Sequence, residues 1–167
     1  RLSAKAIGDF SSAVADVTPG SKALIEAPYG AFSYTTVPGR SLVFIAGGIG
    51  ITPFLSQLRA LRARGESRRV RLIWGNKTQE DIAFRDELQA AERELPEFSL
   101  VHVLSHEEWD GETGFVDADL IRKYVDDVET AEFFVCGPPV MMNVVIPLLG
   151  KLGAPASRIH FERFALG

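Results

Sequence analysis

The sequence predicts an α/β fold: a doubly wound five-stranded parallel sheet in the order 3-2-1-4-5, preceded by a β-rich segment of a different domain. Three observations carry this prediction. Short apolar runs alternate with amphipathic runs along most of the 167 residues. The apolar runs are continuous, as in strands covered on both faces. Loops rich in glycine and proline follow the first and fourth apolar runs, where open α/β sheets bind their ligands.

The elements follow in order. Ser41–Ala46 (SLVFIA) reads as the first strand, short, β-branched and aromatic, and stopped by Gly47 and Gly48. Thr52–Arg64 reads as a helix with Phe54, Leu55, Leu58 and Leu61 on its apolar face. Val70–Trp74 is the second strand. Thr78–Glu92 reads as a helix opened by a Thr-x-x-Asp pattern close to a capping box. Phe98–Leu104 is the third strand, and Asp117–Tyr124 a short helix after a loop holding Gly111 and Gly114. Glu132–Cys136 is the fourth strand, Pro139–Leu149 a helix ended by Gly150, and Arg158–Phe161 the fifth strand. Right-handed crossovers leave few topologies, and the doubly wound sheet leads them.

Residues 1–40 differ. Leu2–Ile7 and Ala23–Ala27 resemble strands, with a short helical run near Phe10–Asp16 and a turn at Pro19 and Gly20. Thr35–Arg40 reads as a linker. Two strands cannot make a stable domain alone. Residues 1–40 are therefore expected to be the trailing edge of a preceding β-domain plus a linker, and 41–167 a nucleotide-binding domain. The chain opens on Arg1 without an initiator Met and reads as a piece of a longer protein.

Composition narrows the function. With 46% apolar and 24% charged residues, the chain is neither disordered, collagenous nor a coiled coil. A net charge of −4 gives no reason to expect nucleic acid. One cysteine, Cys136, excludes an internal disulfide framework and a cysteine-rich zinc site. His106–Asp110 lacks the H-E-x-x-H pattern, so no metal site is expected. No apolar run approaches the roughly 18–20 residues that span a bilayer, and no signal peptide is visible. The expected location is cytoplasmic, with any membrane association supplied by a region upstream. Six arginines, Arg59, Arg62, Arg64, Arg68, Arg69 and Arg71, crowd into thirteen residues. They read as a solvated helix end, with a docking face for an acidic partner, the anionic leaflet or a cofactor phosphate as the alternative.

Three loops carry the candidate chemistry. In Gly47-Gly48-Ile49-Gly50-Ile51-Thr52-Pro53 the glycines let backbone N–H groups approach a bulky anion. Thr52 is placed to cap the following helix, Pro53 fits its first turn, and the helix N-terminus offers free donors. Pro53 stands where the dinucleotide fingerprint has its third glycine, so this is not G-x-G-x-x-G. Cys136-Gly137-Pro138-Pro139 repeats the design after strand four. In the predicted strand order these two loops face each other at the topological switch point. After strand two, Asn76 is placed to bond a ribose hydroxyl and Lys77 to meet a 2′-phosphate. The bland reading keeps these residues as turns and caps, and Cys136 as a small buried residue.

Gly47–Phe54 (GGIGITPF), Ile73–Leu88 (IWGNKTQEDIAFRDEL) and Phe133–Met142 (FFVCGPPVMM) resemble, in order and spacing, three signatures of the ferredoxin–NADP reductase superfamily. Lys5–Ser12 (KAIGDFSS) and Ala27–Phe32 (APYGAF) are similar to the last flavin-contacting part of that family's FAD barrel. With Ile159–Phe164 (IHFERF), they most resemble the bacterial ferric reductase and NADPH oxidase-like branch. Ala27 stands where the family usually has Gly, and the upstream Arg-x-Tyr-Ser/Thr flavin motif is absent.

The resemblance implies NAD(P)H and FAD as cofactors, with a hydride passing from nicotinamide to flavin and single electrons passing on to haem, an iron–sulfur centre or ferric iron. It places Gly47, Gly48, Gly50, Thr52 and Pro53 at the pyrophosphate and nicotinamide, and Cys136, Gly137 and Pro138 beside the nicotinamide. It places Glu162 by the flavin–nicotinamide stack, Phe164 over the flavin, and Gly8, Ser11 and Ser12 at the flavin pyrophosphate. The missing half of the FAD domain is the first partner it implies, and the isolated chain is expected to bind nucleotide without turnover. The reductase of an oxygenase, or a flavohaemoglobin tail, is the alternative. A flavodoxin-like binding module would need acidic residues after strand one, where Gly-Gly-Ile-Gly stands.

Overall fold

The computed structural model describes residues 8–24, 26 and 30–163. The chain divides into two units, one ending at Ala31 and the other starting at Phe32. In the first, helix α1 (Asp9–Ala13) runs into a 3-10 turn at Val14–Asp16, near the expected helical run. No strand occurs among its described residues. Ala23 and Leu24 are irregular, while Leu2–Ile7, Ile25 and Ala27 lie outside the described residues. The β-rich reading of the segment therefore has no described strand behind it.

The second unit is built around β1 (Ser41–Gly47), β2 (Arg69–Asn76), β3 (Phe98–Leu104), β4 (Glu112–Thr113), β5 (Glu132–Cys136) and β6 (Ile159–Glu162). They form one parallel sheet in the order β4-β3-β2-β1-β5-β6. The five expected strands occur in the expected order. The correction is a sixth, β4, added beside β3. It is two polar residues long, so it carries no hydrophobic pattern. Its partners hold it instead: Lys123 and the Tyr124 hydroxyl both donate to Glu112 Oε1 at 2.6 Å, which keeps that carboxyl below the ordinary range.

Helices α2 (Thr52–Arg64) and α3 (Arg85–Glu94) cover one face of the sheet. Helices α4 (Ala118–Tyr124) and α5 (Pro139–Lys151) cover the other. β1 is buried along its whole length, sending Leu42, Phe44 and Ala46 to the first face and Val43 and Ile45 to the second. Burial on both faces explains the unbroken apolar runs. Asp117 caps α4, its Oδ1 accepting from the Leu120 amide at 2.9 Å. α5 continues past Gly150 to Lys151.

Two further expectations are corrected. Thr78–Glu92 is not one helix. The Thr78 amide donates to Asp81 Oδ2 at 3.2 Å, and this box closes a 3-10 turn at Gln79–Asp81. The chain then buries Ile82 and turns through Phe84, whose φ of +58° is left-handed, before α3 begins. Burying Ile82 and packing Phe84 on the core offsets the cost of that backbone geometry. Nor is the stretch before β1 a free linker. Tyr34 is 1% exposed and Val37 is buried, and the Tyr34 amide donates to Gln57 Oε1 at 2.9 Å.

The arginine run is largely absorbed by the fold. Arg59 forks onto Glu87 (2.5 and 2.8 Å) and Arg62 onto Glu94 (2.9 and 2.6 Å), joining α2 to α3. Arg68 donates to the Tyr34 and Val37 carbonyls, each at 3.2 Å, and lies over the Tyr34 ring. Arg69 and Arg71 bond Asp126 and Asp127, and Arg71 also reaches Ser41 at 3.0 Å. Bidentate guanidinium–carboxylate pairs hold geometry well. Five of the six arginines are thus paired within the fold, while Arg64, exposed at the end of α2, lies 6.0 Å from the Tyr34 ring centroid. Arg71 is 8% exposed, whereas Asp126 is largely exposed, so this pair stands between a buried and a surface bridge. Arg71→Met is expected to cost about 2 kcal/mol, below the roughly 3–5 kcal/mol of a fully buried pair. Chemical denaturation with an unchanged m-value checks it.

Candidate functional site

The C-terminal ends of β1 and β5 are neighbours, with Ala46 opposite Cys136. The loops leaving them turn to opposite faces, one into α2 and the other into α5, and so form the switch point of the sheet. They touch closely. A Cβ on Gly50 would lie 2.3 Å from the Cys136 carbonyl oxygen and 2.8 Å from Gly137 Cα. One on Gly137 would lie 2.9 Å from the Gly47 nitrogen, and one on Gly47 2.7 Å from Met141 Sδ. Gly50 and Gly137 therefore let the two backbones pack against each other, while Gly47 makes room for the Met141 and Pro138 side chains. Gly48 differs: its φ is +49°, and no heavy atom stands within 4 Å of where its Cβ would be. The one open position in the loop needs glycine for its backbone rather than for space.

The first loop is a 3-10 turn, Gly48–Ile51, that continues into α2. Ile51 occupies the cap position, so Thr52 is the first helical residue rather than the N-cap, and Pro53 follows in the first turn. Pro138 precedes α5 and Pro139 opens it. Both helices are thirteen residues long and neither has an acidic residue in its first turn. Two helix N-termini with uncompensated positive ends thus start at adjoining strand ends, a setting suited to an anion such as a diphosphate.

Cys136 is fully buried, and burial, with the Glu162 charge second, pushes its thiol up to about 12. The group is a neutral thiol at physiological pH, not a thiolate nucleophile. Glu162 lies opposite it in the β5–β6 register and is half-buried. Gly75 pairs with Gly47, which brings Asn76 and Lys77 to the same sheet edge. Lys77 is exposed. Asn76 is 8% exposed, and neither Nδ2 nor Oδ1 has a hydrogen-bond partner. A buried carboxamide with both atoms unsatisfied is rare and marks a place where a water or ligand group belongs. Gly8, Ser11 and Ser12 share one turn of the other unit, with the Gly8 amide donating to Ser11 Oγ at 3.0 Å and the Ser12 amide to the Gly8 carbonyl at 2.9 Å. Phe164 lies outside the described residues.

Sequence reasoning missed two residues here. Met141, one residue from the cap-side prolines, packs against Gly47 and Gly137. Trp74 Nε1 donates to the Gly48 carbonyl at 3.0 Å. Trp74 stands next to the Gly75-Asn76 strand end, and Met141 next to the Pro138-Pro139 turn; that adjacency was the available signal.

Two outcomes are expected from this geometry. Gly50→Ala drives a methyl into backbone that cannot rotate away, and should cost about 2–3 kcal/mol by denaturant unfolding. The Cys136 thiol holds its proton in the folded chain at pH values where the unfolded chain has lost it. Stability is therefore complete below the ordinary thiol range and is lost as pH rises toward about 12. The slope should be roughly 1 kcal/mol per pH unit, and Cys136→Ala should abolish that component.

Residues 44–146 match the family model described as the oxidoreductase NAD-binding domain. The chain is 36% identical over 171 residues to NADH-cytochrome b5 reductase 1 of Pyricularia oryzae, covering 95% of this chain and 54% of that protein. It is 30% identical over 164 residues to the reductase component of propane 2-monooxygenase of Rhodococcus jostii, covering 94% and 44%. Among solved structures, a ferredoxin NADP+ reductase from Neisseria gonorrhoeae with bound FAD and NADP superposes with a TM-score of 0.78 at 25% identity, covering 93% of this chain and 70% of that one. The chain spans about half the length of the relatives it matches. With its parallel sheet, its two glycine loops at the switch point and this match, the chain belongs to the oxidoreductase NAD-binding domain family, with the fold of the ferredoxin–NADP reductases.

Proposed function

We propose that this chain is the nicotinamide-nucleotide-binding part of a flavin-dependent oxidoreductase, and that it positions NAD(P)H for hydride transfer to FAD. The observation that carries the reading is the contact of the Gly47–Gly50 loop with Cys136 and Gly137, which brings two unopposed helix N-termini to one crevice. Gly48 and Gly50 meet the diphosphate with backbone donors, and Thr52 meets it with its hydroxyl because its amide already donates to the Ile49 carbonyl. Pro53, which has no N–H, sets the first turn of α2, with Gly47 setting the approach of the second loop. Gly137 and Pro138 shape the nicotinamide side, and Cys136 contributes a small uncharged wall there. Glu162 supplies the carboxylate nearest that wall. Lys77, being exposed, is free to meet a 2′-phosphate, and Asn76 meets the ribose once the following turn admits a hydroxyl to its enclosed carboxamide. Bound together, the nicotinamide supplies a hydride that the flavin passes on as single electrons.

FAD would sit against a barrel contributed by the rest of the parent protein, with Gly8, Ser11 and Ser12 at its pyrophosphate and Phe164 over its ring. The domain reading, 1–40 and 41–167, belongs to this proposal. Val14, Val17 and Leu24 support it, since all three are exposed apolar residues of the first unit, with Leu24 96% exposed. The acceptor in this reading is haem, an iron–sulfur centre or ferric iron, as in the ferric reductase-like branch, on the cytoplasmic face of a membrane. No helix among the described residues is long and apolar enough to cross a membrane. A second reading, the reductase component of an oxygenase, is favoured by the likeness to the propane 2-monooxygenase reductase.

Fluorescence titration with NADH and NADPH tests the proposal. Saturable binding of one of them below millimolar concentration is expected, without steady NAD(P)H-dependent ferricyanide reduction by this chain alone. Binding of neither at millimolar concentration would overturn the nucleotide reading. A steady rate would overturn the assignment of the flavin site to the missing part.

A further inference from the structure

Trp74 lies at the end of β2 opposite Ala46 of β1, on the face covered by α2 and α3. Its indole is 1% exposed, and its Nε1–H donates to the Gly48 carbonyl at 3.0 Å. Ala46 is small, which leaves the path from β2 across to the β1 loop open. His102, opposite Trp74 on β3, packs against the indole at 5.5 Å. The indole is therefore fixed from the sheet side, and its one donor is spent on one carbonyl.

That carbonyl belongs to the one glycine of the loop that has no packed neighbour where a Cβ would stand. Gly48 has a left-handed φ and open space beside it. A peptide unit is planar and trans, so its C=O and the next N–H point in opposite directions. With the Gly48 carbonyl turned to the buried indole, the Ile49 N–H is turned away from it, toward the loop's outer side. Ile49 also lies in the first turn of the 3-10 segment, where N–H groups have no partner within the turn.

We infer that Trp74 is a positioning residue for the anion site: its indole N–H locks the Gly48–Ile49 peptide so that the Ile49 N–H is presented to a diphosphate. The inference rests on the nucleotide reading above. The indole bond adds to the 3-10 turn in holding this peptide in one orientation before the ligand arrives. Trp74 touches no ligand in this role and acts only through the loop.

The test is a comparison of two ligands on the same chain, ADP-ribose, which carries the diphosphate, and adenosine, which does not. Trp74→Phe removes the donor and keeps an aromatic ring. It is expected to weaken ADP-ribose by about three- to tenfold, the worth of one hydrogen bond. Adenosine affinity should stay within about twofold. Should the smaller ring destabilise the fold, site-specific replacement of Trp74 by 3-benzothienylalanine keeps the indole shape without the N–H, and the same split is expected. Equal loss for both ligands would mean general damage and would overturn the inference, as would unchanged ADP-ribose binding. Wild-type chain that binds neither ligand would overturn the nucleotide reading and this inference with it. A wild-type chain that binds ADP-ribose, with a variant that binds it equally, overturns only the role of Trp74.

Discussion

The backbone-to-backbone contact between the loops that end β1 and β5 governs the rest of the unit. At Gly50 a methyl group would meet the Cys136 carbonyl at 2.3 Å, so the two loops approach as closely as glycine permits and no closer residue type fits. From that contact the starts of α2 and α5 are fixed, because each helix begins within a few residues of it. The helices in turn decide which faces of the sheet are covered, and their N-termini bring the positive ends of two helix dipoles to adjoining strand ends. A change at these glycines therefore acts on folding and on ligand binding together.

Electrostatics around this core are arranged differently at the two ends of the sheet. At the C-terminal ends of β1 and β5 the titratable side chains are a buried neutral thiol and the half-buried Glu162. At the N-terminal ends the charges are dense but matched. Arg69 and Arg71 meet Asp126 and Asp127, while Glu132, buried at the start of β5, accepts from Arg158 at 2.8 Å and bonds His160 at 3.0 Å. The second set ties the edge strand β6 to its neighbour, and β6 carries Glu162 to the crevice. Removing matched charges would cost stability.

Much of this was legible in residue order. The strands Phe98–Leu104 and Glu132–Cys136 and the helix Thr52–Arg64 carry their own boundaries, because an apolar run or stripe flanked by glycine, proline or charge leaves little choice. What failed to appear in the sequence depended on partners far away. β4 is two residues held by Lys123 and Tyr124. The Thr78–Glu92 pattern has helical periodicity, yet burial of Ile82 and packing of the half-buried Phe84 on the core bend it through a left-handed turn. The arginine run looked like a solvated face because, apart from Glu66 beside Arg68, its carboxylate partners lie 28 to 58 positions away in the chain.

The sequence by itself determined the α/β class and the two glycine loops, which follow from local periodicity and from the steric freedom of glycine, and the order of the five main strands, which follows from the handedness of their crossovers. Tertiary structure alone decided how those loops are used. It placed Gly50 on the Cys136 carbonyl and Gly137 on Gly47. It buried Cys136 until its thiol stayed protonated, and it brought the Trp74 indole to the Gly48 carbonyl. These are contacts between strands adjacent in space and distant in the chain, and their geometry is set by packing rather than by spacing.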